Sequence, residues 1–409
     1  SEPIAMMTTV HAQPASSAHA GGLATPPSIS VIIPVFNDAG NLRKSLASLR
    51  NGDVSAEIIV VDDASTDGSD RVAEELGARV VRMERNSGPA EARNRGASVA
   101  AGQVLLFIDA DVCAHPDTLG RILQSVSDAD AVFGSYDLAP AATNALSQYK
   151  NLFHHFMHQQ GPGEAATFWS GCGAIRRSVF WEAGGFDPTY IRSCIEDIEL
   201  GMRLRRSGRR IVINKQVQVT HLKKWTLWGL IKSDFRDRAV PWTVLILRQR
   251  HLPRAPTLAL SQRVSVLFTA LTLLVLLAGA VQFPLLALAA PATVLAILAI
   301  DWISGFTRSL LVPNLVSIAS AGAALAGMML YSGIWGVAVL ALLGCIVGLN
   351  WRLYWFLARA RGLGFAVFVI PLQLLYFVYS GVALAWGTIL HVRDGLLGPQ
   401  RSARAAEAP

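Results

Sequence analysis

The chain has 409 residues, of which 52% are hydrophobic and only 16% are charged, with a formal net charge of +7 at pH 7. This balance excludes a disordered chain and disagrees with a wholly soluble protein. Only five charged side chains lie between residues 264 and 392, so the composition predicts a soluble domain followed by a membrane domain. The four cysteines are far apart and form no CxxC pair, which predicts neither a disulfide framework nor a zinc site.

Residues 1–27 are rich in Ala, Ser, Pro, Thr and His, and we expect them to be a disordered segment without a signal peptide. From Ser28 onward, apolar runs of strand length alternate with helical patterns. The predicted strands are Ile29–Phe36, Glu57–Val61, Arg79–Arg82 and Val104–Ile108, and the helix Pro89–Ala100 precedes the last of them. This alternation predicts an α/β domain with a mostly parallel sheet, which binds ligands beyond the carboxyl ends of its strands.

Asp62 and Asp63 follow the second predicted strand. Carboxylates at such a strand end can accept hydrogen bonds from a nucleobase or a ribose. The alternative is that either residue only caps the next helix, because the following Ser65 and Asp67 also favour helix caps.

Asp109 and Asp111 follow the fourth predicted strand directly. In extended backbone, residues i and i+2 point to the same side, so the two carboxylates can bind one hard cation. Mg²⁺ or Mn²⁺ held by one or two carboxylates also binds substrate phosphates. The alternative is a solvated acidic turn.

Glu196 and Asp197 open a predicted helix that ends near Arg206. Asp197 is a candidate general base for an acceptor hydroxyl, with Glu196 positioning it. The alternative is that the helix dipole alone favours acids at this end.

Six motifs together resemble the inverting family 2 glycosyltransferases of the GT-A fold. They occur in the family's order between about Ser28 and His221: VIIPVFN (Val31–Asn37), VDDAS (Val61–Ser65), ARNRG (Ala92–Gly96), DAD (Asp109–Asp111), GGFD (Gly184–Asp187) and EDIELGMRLRRSG (Glu196–Gly208).

The resemblance implies a Rossmann-like nucleotide-diphospho-sugar transferase fold, a UDP- or GDP-linked sugar donor, and Mg²⁺ or Mn²⁺ as cofactor. The donor-binding residues it implies are Pro34, Asp62, Asp63, Arg93 and Asp109, with Arg93 on the diphosphate. The implied metal ligands are Asp109, Asp111 and His221, and the implied catalytic residues are Asp197 and Glu196. A buried structural histidine is the alternative for His221.

The segment Arg238-Ala239-Val240-Pro241-Trp242 occupies the place of the (Q/R)xxRW motif of processive family members. Proline replaces the second arginine, which speaks against polymer synthesis. Arg238 and Trp242 remain candidates for the acceptor site, although the tryptophan also suits an interfacial anchor. The further acceptor candidates are Trp169, Gly171 and Cys172, with Gly171 allowing close approach of a sugar.

Residues 148–160 contain His154, His155 and His158 on neighbouring helical positions. A metal site there is disfavoured, because such clusters are mostly surface or interfacial. The apolar residues between the histidines predict an amphipathic segment that dips into the membrane interface beside a lipid acceptor.

The chain divides into five predicted regions: 1–27 disordered, 28–225 catalytic, 226–263 basic and interfacial, 264–392 transmembrane, and 393–409 a polar tail. Residues 203–254 contain 14 Lys or Arg against two acids, which predicts a surface facing lipid headgroups. No nucleic-acid module accompanies this patch, so no nucleic-acid partner is expected. The five predicted spans are Val264–Gln282, Leu285–Ile300, Leu310–Met329, Gly333–Leu349 and Phe365–Leu390, with four or six as alternatives.

The positive-inside rule then places the catalytic domain in the cytoplasm of a multi-pass inner or plasma membrane protein. We expect an enzyme that moves one sugar to a membrane lipid, either a lipid hydroxyl, which the sequence favours, or a polyprenyl phosphate. The alternatives are a processive polysaccharide synthase and a catalytically degenerate membrane scaffold.

Overall fold

The computed structural model describes residues 28–282, 289–307 and 311–397. Its strands are β1 Ile29–Val35, β2 Glu57–Asp62, β3 Arg79–Arg82, β4 Val104–Ile108, β5 Val112–Ala114, β6 Ala131–Tyr136, β7 Cys172–Arg176 and β8 Ile211–His221. The helices of the first part are α1 Ala39–Arg50, α2 Ser69–Glu75, α3 Pro89–Val99, α4 Thr118–Val126, α5 Ala145–Gln160, α6 Arg177–Glu182 and α7 Glu196–Arg206. The later helices are α8 Leu227–Lys232, a π-helix Ser233–Ala239, α9 Val240–Gln249, a 3₁₀ turn Pro256–Leu258, α10 Leu260–Gln282, α11 Ala289–Thr307, α12 Leu311–Ser332, α13 Ile334–Leu349, α14 Trp351–Arg361 and α15 Leu363–Leu397.

The eight strands form one sheet in the order β3-β2-β1-β4-β7-β6-β8-β5. The predicted α/β sheet is confirmed, and the predicted strands match within one residue at each end. The prediction of a mostly parallel sheet was too simple, because β7 is antiparallel to both β4 and β6, and β5 is antiparallel to β8. The antiparallel pairing sets Cys172 opposite Ile108. The loop that precedes β7 therefore lies beside Asp109, where β4 ends.

Both faces of the sheet are covered by helices, as predicted. Alternate residues of the central strands point to opposite faces, so Val31 packs with α1, α2 and α4, whereas Ile32 packs with α3, α6 and α7. Both side chains are fully buried. This two-sided core fixes the carboxyl ends of the strands, where the candidate residues lie.

Helix α5 was expected to dip into the membrane interface beside a lipid acceptor, and this location stays a prediction. The structure shows that its apolar positions pack into a hydrophobic core shared with α11, α14 and α15. The members of this core include Leu146, Tyr149, Leu152, Phe153, Ile297, Ile300, Leu353, Leu357, Phe368 and Leu372.

By length and composition, two helices in the described part of the chain can cross a membrane, over Leu260–Gly279 and Leu363–Leu396. A third is possible if α13 and α14, which meet at an angle of 76°, form one broken span. Shorter apolar helices cover Ala292–Gly305 and Val312–Gly322. The predicted five spans stay a prediction, and their parts at 283–288 and 308–310 lie outside the described residues, as do segments 1–27 and 398–409.

The basic stretch 203–254 is divided by the structure. Its first arginines form ion pairs with acids of the catalytic part: Arg203 with Glu199, Arg205 and Arg210 with Glu164, and Arg209 with Glu182. These four arginines therefore contribute to the folded surface of the catalytic part. The cations after residue 222 remain candidates for contact with lipid headgroups.

Helix α7 packs tightly against the loop that leads to β7. A Cβ built on Gly201 would lie 2.1 Å from the backbone nitrogen of Phe168. We expect Gly201→Ala to destabilise the protein by about 2 kcal/mol, because the backbone itself must shift. Gly40→Ala in α1 is the matched control, since no atom lies within 4 Å of its added Cβ, and it should be neutral or stabilise by up to about 1 kcal/mol. Thermal midpoints in detergent measure both, and equal midpoints would contradict this packing.

Candidate active site

A buried arginine connects the two acidic motifs. Arg93 of α3 donates from Nη2 to Asp109 Oδ1 (2.7 Å) and from Nη1 to Glu196 Oε1 (2.8 Å). The side chains of Arg93 and Glu196 are each 3% exposed, whereas that of Asp109 is 34% exposed. Two carboxylates that are 87 residues apart in the chain are thus held by one guanidinium. The role of Arg93 on a diphosphate stays a prediction, and the structure places its terminal nitrogens on protein carboxylates.

Asp197 is held in one orientation at the start of α7. Its Oδ2 accepts hydrogen bonds from the Ser170 N–H (3.0 Å) and the Ser170 hydroxyl (3.3 Å), and its Oδ1 accepts one from the Ile198 N–H (2.7 Å). Burial is the main cause that raises the pKa of Asp197 to about 6, and the neighbouring charge of Glu196 adds to it. The Ser170 N–H and the charge of Arg93 lower this pKa, but their effect is smaller. A carboxylate with this pKa is ionised at pH 7 and more basic than an exposed aspartate.

Asp111 and His221 lie side by side where β5 pairs with β8. His221 Nε2 is 3.6 Å from Asp111 Oδ2, and its ring stacks on Tyr136 with centroids 4.2 Å apart. Burial raises the pKa of Asp111, but the hydrogen bond and charge of His221 outweigh it, so the pKa is lowered overall.

This pair fits a divalent cation in its chemistry. The carboxylate of Asp111 and the imidazole nitrogen of His221 are ligand types that suit Mg²⁺ or Mn²⁺. Asp109, whose Oδ1 accepts from Arg93, retains its second oxygen as a further candidate ligand. Within the described residues, no cluster of three or more His, Cys, Asp or Glu side chains is arranged to hold a metal alone. A cation at this place would complete its coordination with substrate oxygens and water.

The predicted nucleotide-binding acids lie at the end of β2. Asp63 accepts hydrogen bonds from the backbone N–H groups of Ser87 and Gly88, each at 2.8 Å, so both of its oxygens orient the loop before α3. Asp62 Oδ1 accepts from the Ser65 N–H (3.1 Å) in a local turn. The helix cap given as the alternative is wrong for both acids, because α2 begins at Ser69 with Gly68 as its N-cap. Pro34 lies beside them in β1. A contact of any of the three with a nucleobase stays a prediction.

A cavity of about 250 Å³ extends from this site to the C-terminal helices. At one end it is lined by Asp109, Glu196 and Asp197, and at the other by Tyr376, Tyr379 and Ser380 of α15. The segment Arg254–Thr257, just before α10, forms a further part of its wall. The cavity therefore joins the acidic residues to a helix that is apolar enough to cross a membrane.

The predicted acceptor residues near β7 have different surroundings. The Trp169 ring lines the cavity and packs against His154 and Tyr136, with centroids 4.8 and 5.0 Å away. A Cβ on Gly171 would lie 2.5 Å from that ring, so the glycine makes room for Trp169. The Cys172 side chain is fully buried in the core of the sheet and points away from the cavity.

Arg238 and Trp242 both line the cavity, on the π-helix and α9. Among the described residues the Arg238 guanidinium has no hydrogen-bond or ion-pair partner, and its side chain is exposed to the cavity. The π-helix ends at Ala239, two residues before Pro241, whose ring is incompatible with regular α-helical hydrogen bonding to the preceding turn. The proline that departs from the family motif thus lies just after the π-helix that carries Arg238.

Three residues of the site were missed by sequence reasoning. Lys150 of α5 forms a short ion pair with Asp234 of the π-helix, and the Tyr379 hydroxyl donates to Asp234 Oδ2 (2.8 Å). These contacts span 84 and 145 residues of sequence, so no local pattern could reveal them. The one available signal in the sequence was Asp234 itself, an acid within the basic stretch 203–254.

His154 and His158 line the same cavity as neutral side chains. Burial is the main cause that lowers the pKa of His158 to about 4 and the pKa of His154 well below its ordinary value. His158 Nδ1 lies 3.0 Å from the Gly134 carbonyl, so it donates there. The disfavoured metal site at these histidines stays disfavoured, because they form a mixed wall with Trp169 and Tyr136.

Replacing Arg93 by Met removes the shared cation and keeps a side chain of similar size. We expect a loss of about 3 kcal/mol in stability, because Glu196 keeps a buried charge without its partner. The loss should be smaller at lower pH, since protonation of a buried carboxyl removes the uncompensated charge. Arg95→Met, at an exposed position of the same helix, is the control and should change the thermal midpoint little. A loss that is independent of pH would contradict the electrostatic account.

Comparison with known proteins agrees with this geometry. Residues 30–184 match the family model "Glycosyl transferase family 2". The chain is 27% identical over 248 residues to the Pre-mycofactocin glycosyltransferase of Mycobacterium tuberculosis, covering 57% of this chain and 50% of that protein. It is 35% identical over 105 residues to the Succinoglycan biosynthesis protein ExoU of Rhizobium meliloti, covering 24% and 31%. The chain thus spans half or less of the length of these relatives.

A solved structure, the mannosyltransferase PcManGT from Pyrobaculum calidifontis in complex with GDP-Man and Mn²⁺, superposes with a TM-score of 0.50. The match covers 89% of this chain and 88% of that one at 17% sequence identity, and it establishes the fold. The fold, the motifs and the family match together show that this chain carries a family 2 glycosyltransferase domain of the GT-A fold.

Proposed function

We propose that this chain is a membrane-bound inverting glycosyltransferase that moves a single sugar from a nucleotide-diphosphate sugar to a lipid-borne acceptor at the cytoplasmic face. The observation that carries the proposal is the cavity between Asp197 and helix α15. One end suits a reacting hydroxyl and a sugar, whereas the other reaches a helix apolar enough to lie in a bilayer. A lipid can therefore present its head to Asp197 while its tail stays beside α15.

The donor half of the proposed site is the edge of the sheet near β1, β2 and β4. Pro34, Asp62 and Asp63 are the proposed neighbours of the nucleotide, which is uridine- or guanosine-linked. Asp109, Asp111 and His221 would hold Mg²⁺ or Mn²⁺, which when bound neutralises charge that develops on the departing diphosphate. PcManGT, which has the same fold, was solved with GDP-Man and Mn²⁺, and this supports a divalent cation here.

The acceptor half supplies the proton transfer. Asp197 removes the proton of the attacking hydroxyl as that oxygen bonds to the anomeric carbon, on the face opposite the departing nucleoside diphosphate. The configuration of the sugar is therefore inverted. Ser170 holds the carboxylate of Asp197 in place, so little reorientation precedes the transfer. Glu196 positions this region through Arg93 and through the Cys194 N–H, which donates to Glu196 Oε2 (2.8 Å).

A lipid phosphate is the second candidate acceptor. The observation that favours it is Arg238, which lines the cavity without an ion-pair partner among the described residues. A phosphate oxygen would bind an exposed guanidinium strongly, although the nearby charges of Asp234 and Asp197 already attract this one. A phosphate acceptor would need no general base. The raised pKa of Asp197 favours the hydroxyl, which does need one.

Asp111→Asn should reduce transfer by more than about 100-fold, because one ligand of the proposed cation loses its charge. The measurement is the rate of sugar transfer against Mn²⁺ and Mg²⁺ concentration, with a chelator as the zero point. Asp117→Asn is the matched control, since that exposed carboxylate forms an ion pair with Arg121 on the surface. An Asp111→Asn enzyme with the wild-type rate and metal dependence would contradict the metal site.

Asp197→Asn separates the two acceptor classes. With a hydroxyl acceptor, we expect kcat to rise with pH through about 6 in the wild type, as Asp197 loses its proton. The variant should then be slower by a factor on the order of 10² to 10⁴, with unchanged donor binding. The measurement is kcat between about pH 5 and pH 9, with a polyprenyl alcohol and a polyprenyl phosphate as acceptors.

If the acceptor is a phosphate, the relative activity losses of the Asp197→Asn and Arg238→Gln variants should be reversed. Arg238→Gln would then cost more than Asp197→Asn, mainly in the KM for the lipid. An Asp197→Asn enzyme within a few-fold of the wild type at every pH would overturn the general-base assignment. Transfer to neither lipid by the wild type would contradict the lipid-acceptor proposal itself.

A further inference from the structure

Helix α5 begins without a cap from its own neighbours in sequence. Asn144 occupies the N-cap position, yet its side chain makes no capping hydrogen bond to the helix. The first N–H groups of a helix have no partner within it, and leaving them unsatisfied in a buried place is costly. Asn144, Ala145 and Leu146 are all buried, so the partners of these groups must come from elsewhere in the fold.

The partners come from α11, about 155 residues further along the chain. Asp301 Oδ1 accepts hydrogen bonds from the Leu146 N–H (2.7 Å) and from Asn144 Nδ2 (2.9 Å). Ser304 Oγ accepts one from the Ala145 N–H (2.7 Å) and donates to the Asp301 carbonyl (2.8 Å). One turn of α11 thus caps the N-terminus of α5.

The identity of Asp301 makes this contact informative. It is the only acidic residue between positions 264 and 392, and a carboxylate in such an apolar segment is expensive unless it has partners. A negative charge at a helix N-terminus is also stabilised by the positive end of the helix dipole. The contact therefore accounts for the one acid between positions 264 and 392.

The capped helix forms a wall of the proposed acceptor cavity. Five of its residues line that cavity, and they are Lys150, Phe153, His154, Met157 and His158. The Asn144 side chain also donates to the Trp225 carbonyl (2.9 Å), and the Trp225 N–H donates to Ser147 Oγ (2.7 Å). The position of α5 along its own axis is thus fixed at the end that contacts α11.

We propose that Asp301, with Ser304, is a positioning residue for the acceptor wall, acting through the cap of α5. This inference rests on the proposed function, in that the cavity takes the acceptor. Loss of the cap would let the first turn of α5 open and would displace the side chains that face the lipid. Among the described residues, the hydrogen bonds of this cap join α5 to α11 and to Trp225, and none of them reaches Pro34, Asp62, Asp63 or Asp109. We therefore expect nucleotide binding to change less than acceptor binding.

The test compares three variants of the full chain in detergent. Asp301→Ala removes the accepting oxygen, whereas Asp301→Asn keeps an amide oxygen that can accept the same two hydrogen bonds. Asn350→Ala is the matched control. Asn350 lies at the turn between α13 and α14, and its buried side chain forms hydrogen bonds with Gln262 and Ser265 of α10. The substitution therefore removes a comparable buried polar contact away from the cap of α5. The readouts are KM and kcat for a polyprenyl alcohol or phosphate, the Kd of UDP and GDP with Mn²⁺, and amide hydrogen exchange at residues 145–148.

For Asp301→Ala we expect KM for the lipid to rise about tenfold and exchange at the first turn of α5 to accelerate, as loss of a cap predicts. Nucleotide Kd should stay within about twofold, and Asp301→Asn should recover KM to within about threefold of the wild type. Asn350→Ala should leave both the exchange and KM unchanged.

Unchanged exchange in Asp301→Ala would overturn the cap. Faster exchange with an unchanged KM would overturn the positioning role, and so would an equal rise of KM in Asn350→Ala. If the wild type glycosylates neither lipid, the proposed function fails, and the exchange measurement still decides whether Asp301 holds α5.

Discussion

The site depends on one buried cation shared by two carboxylates. Arg93 holds Asp109 at the end of β4 and Glu196 at the start of α7. A buried charge without a partner is strongly destabilising, so these three groups are stable only together. The acidic motif that follows β4 and the acidic motif that opens α7 are therefore one electrostatic unit, although each motif can be recognised separately in the sequence.

The same arrangement explains the unusual carboxylate beside it. Because Arg93 already binds Asp109 and Glu196, Asp197 receives no direct ion pair from it and is stabilised by the Ser170 N–H instead. Its burial next to the charge of Glu196 then raises its pKa to about 6. The sequence pointed to a base at this position from the acids that open the helix and from the family resemblance. The helix dipole alone lowers the pKa of a carboxylate there, whereas burial beside Glu196 raises the pKa of Asp197.

The sequence predicts what short-range patterns encode. The apolar runs predicted β1, β2 and β4 to within one residue at each end. The acidic motifs Asp109–Asp111 and Glu196-Asp197 could be singled out because one directly follows a strand and the other opens a helix. It does not predict contacts between distant segments. The antiparallel β7, the inward-facing Cys172 and the buried side of α5 all depend on which element packs on which. The pattern of α5 did not reveal its packing partners, because an amphipathic helix has the same pattern against a bilayer and against other helices.

The acceptor half of the cavity is built jointly by two parts of the chain. Lys150 of α5, Asp234 of the π-helix and Tyr379 of α15 form one polar network, and the Tyr149 hydroxyl donates to Gln373 of α15 (2.7 Å). Because α5 shares its hydrophobic core with α11, α14 and α15, removing these helices would expose that core and remove one end of the cavity. The residues of the proposed donor edge all belong to the sheet and its connections. The proposed acceptor side of the cavity is formed where the sheet, α5 and the apolar C-terminal helices pack together, so the C-terminal helices are structural components of this cavity as well as candidates for membrane anchoring.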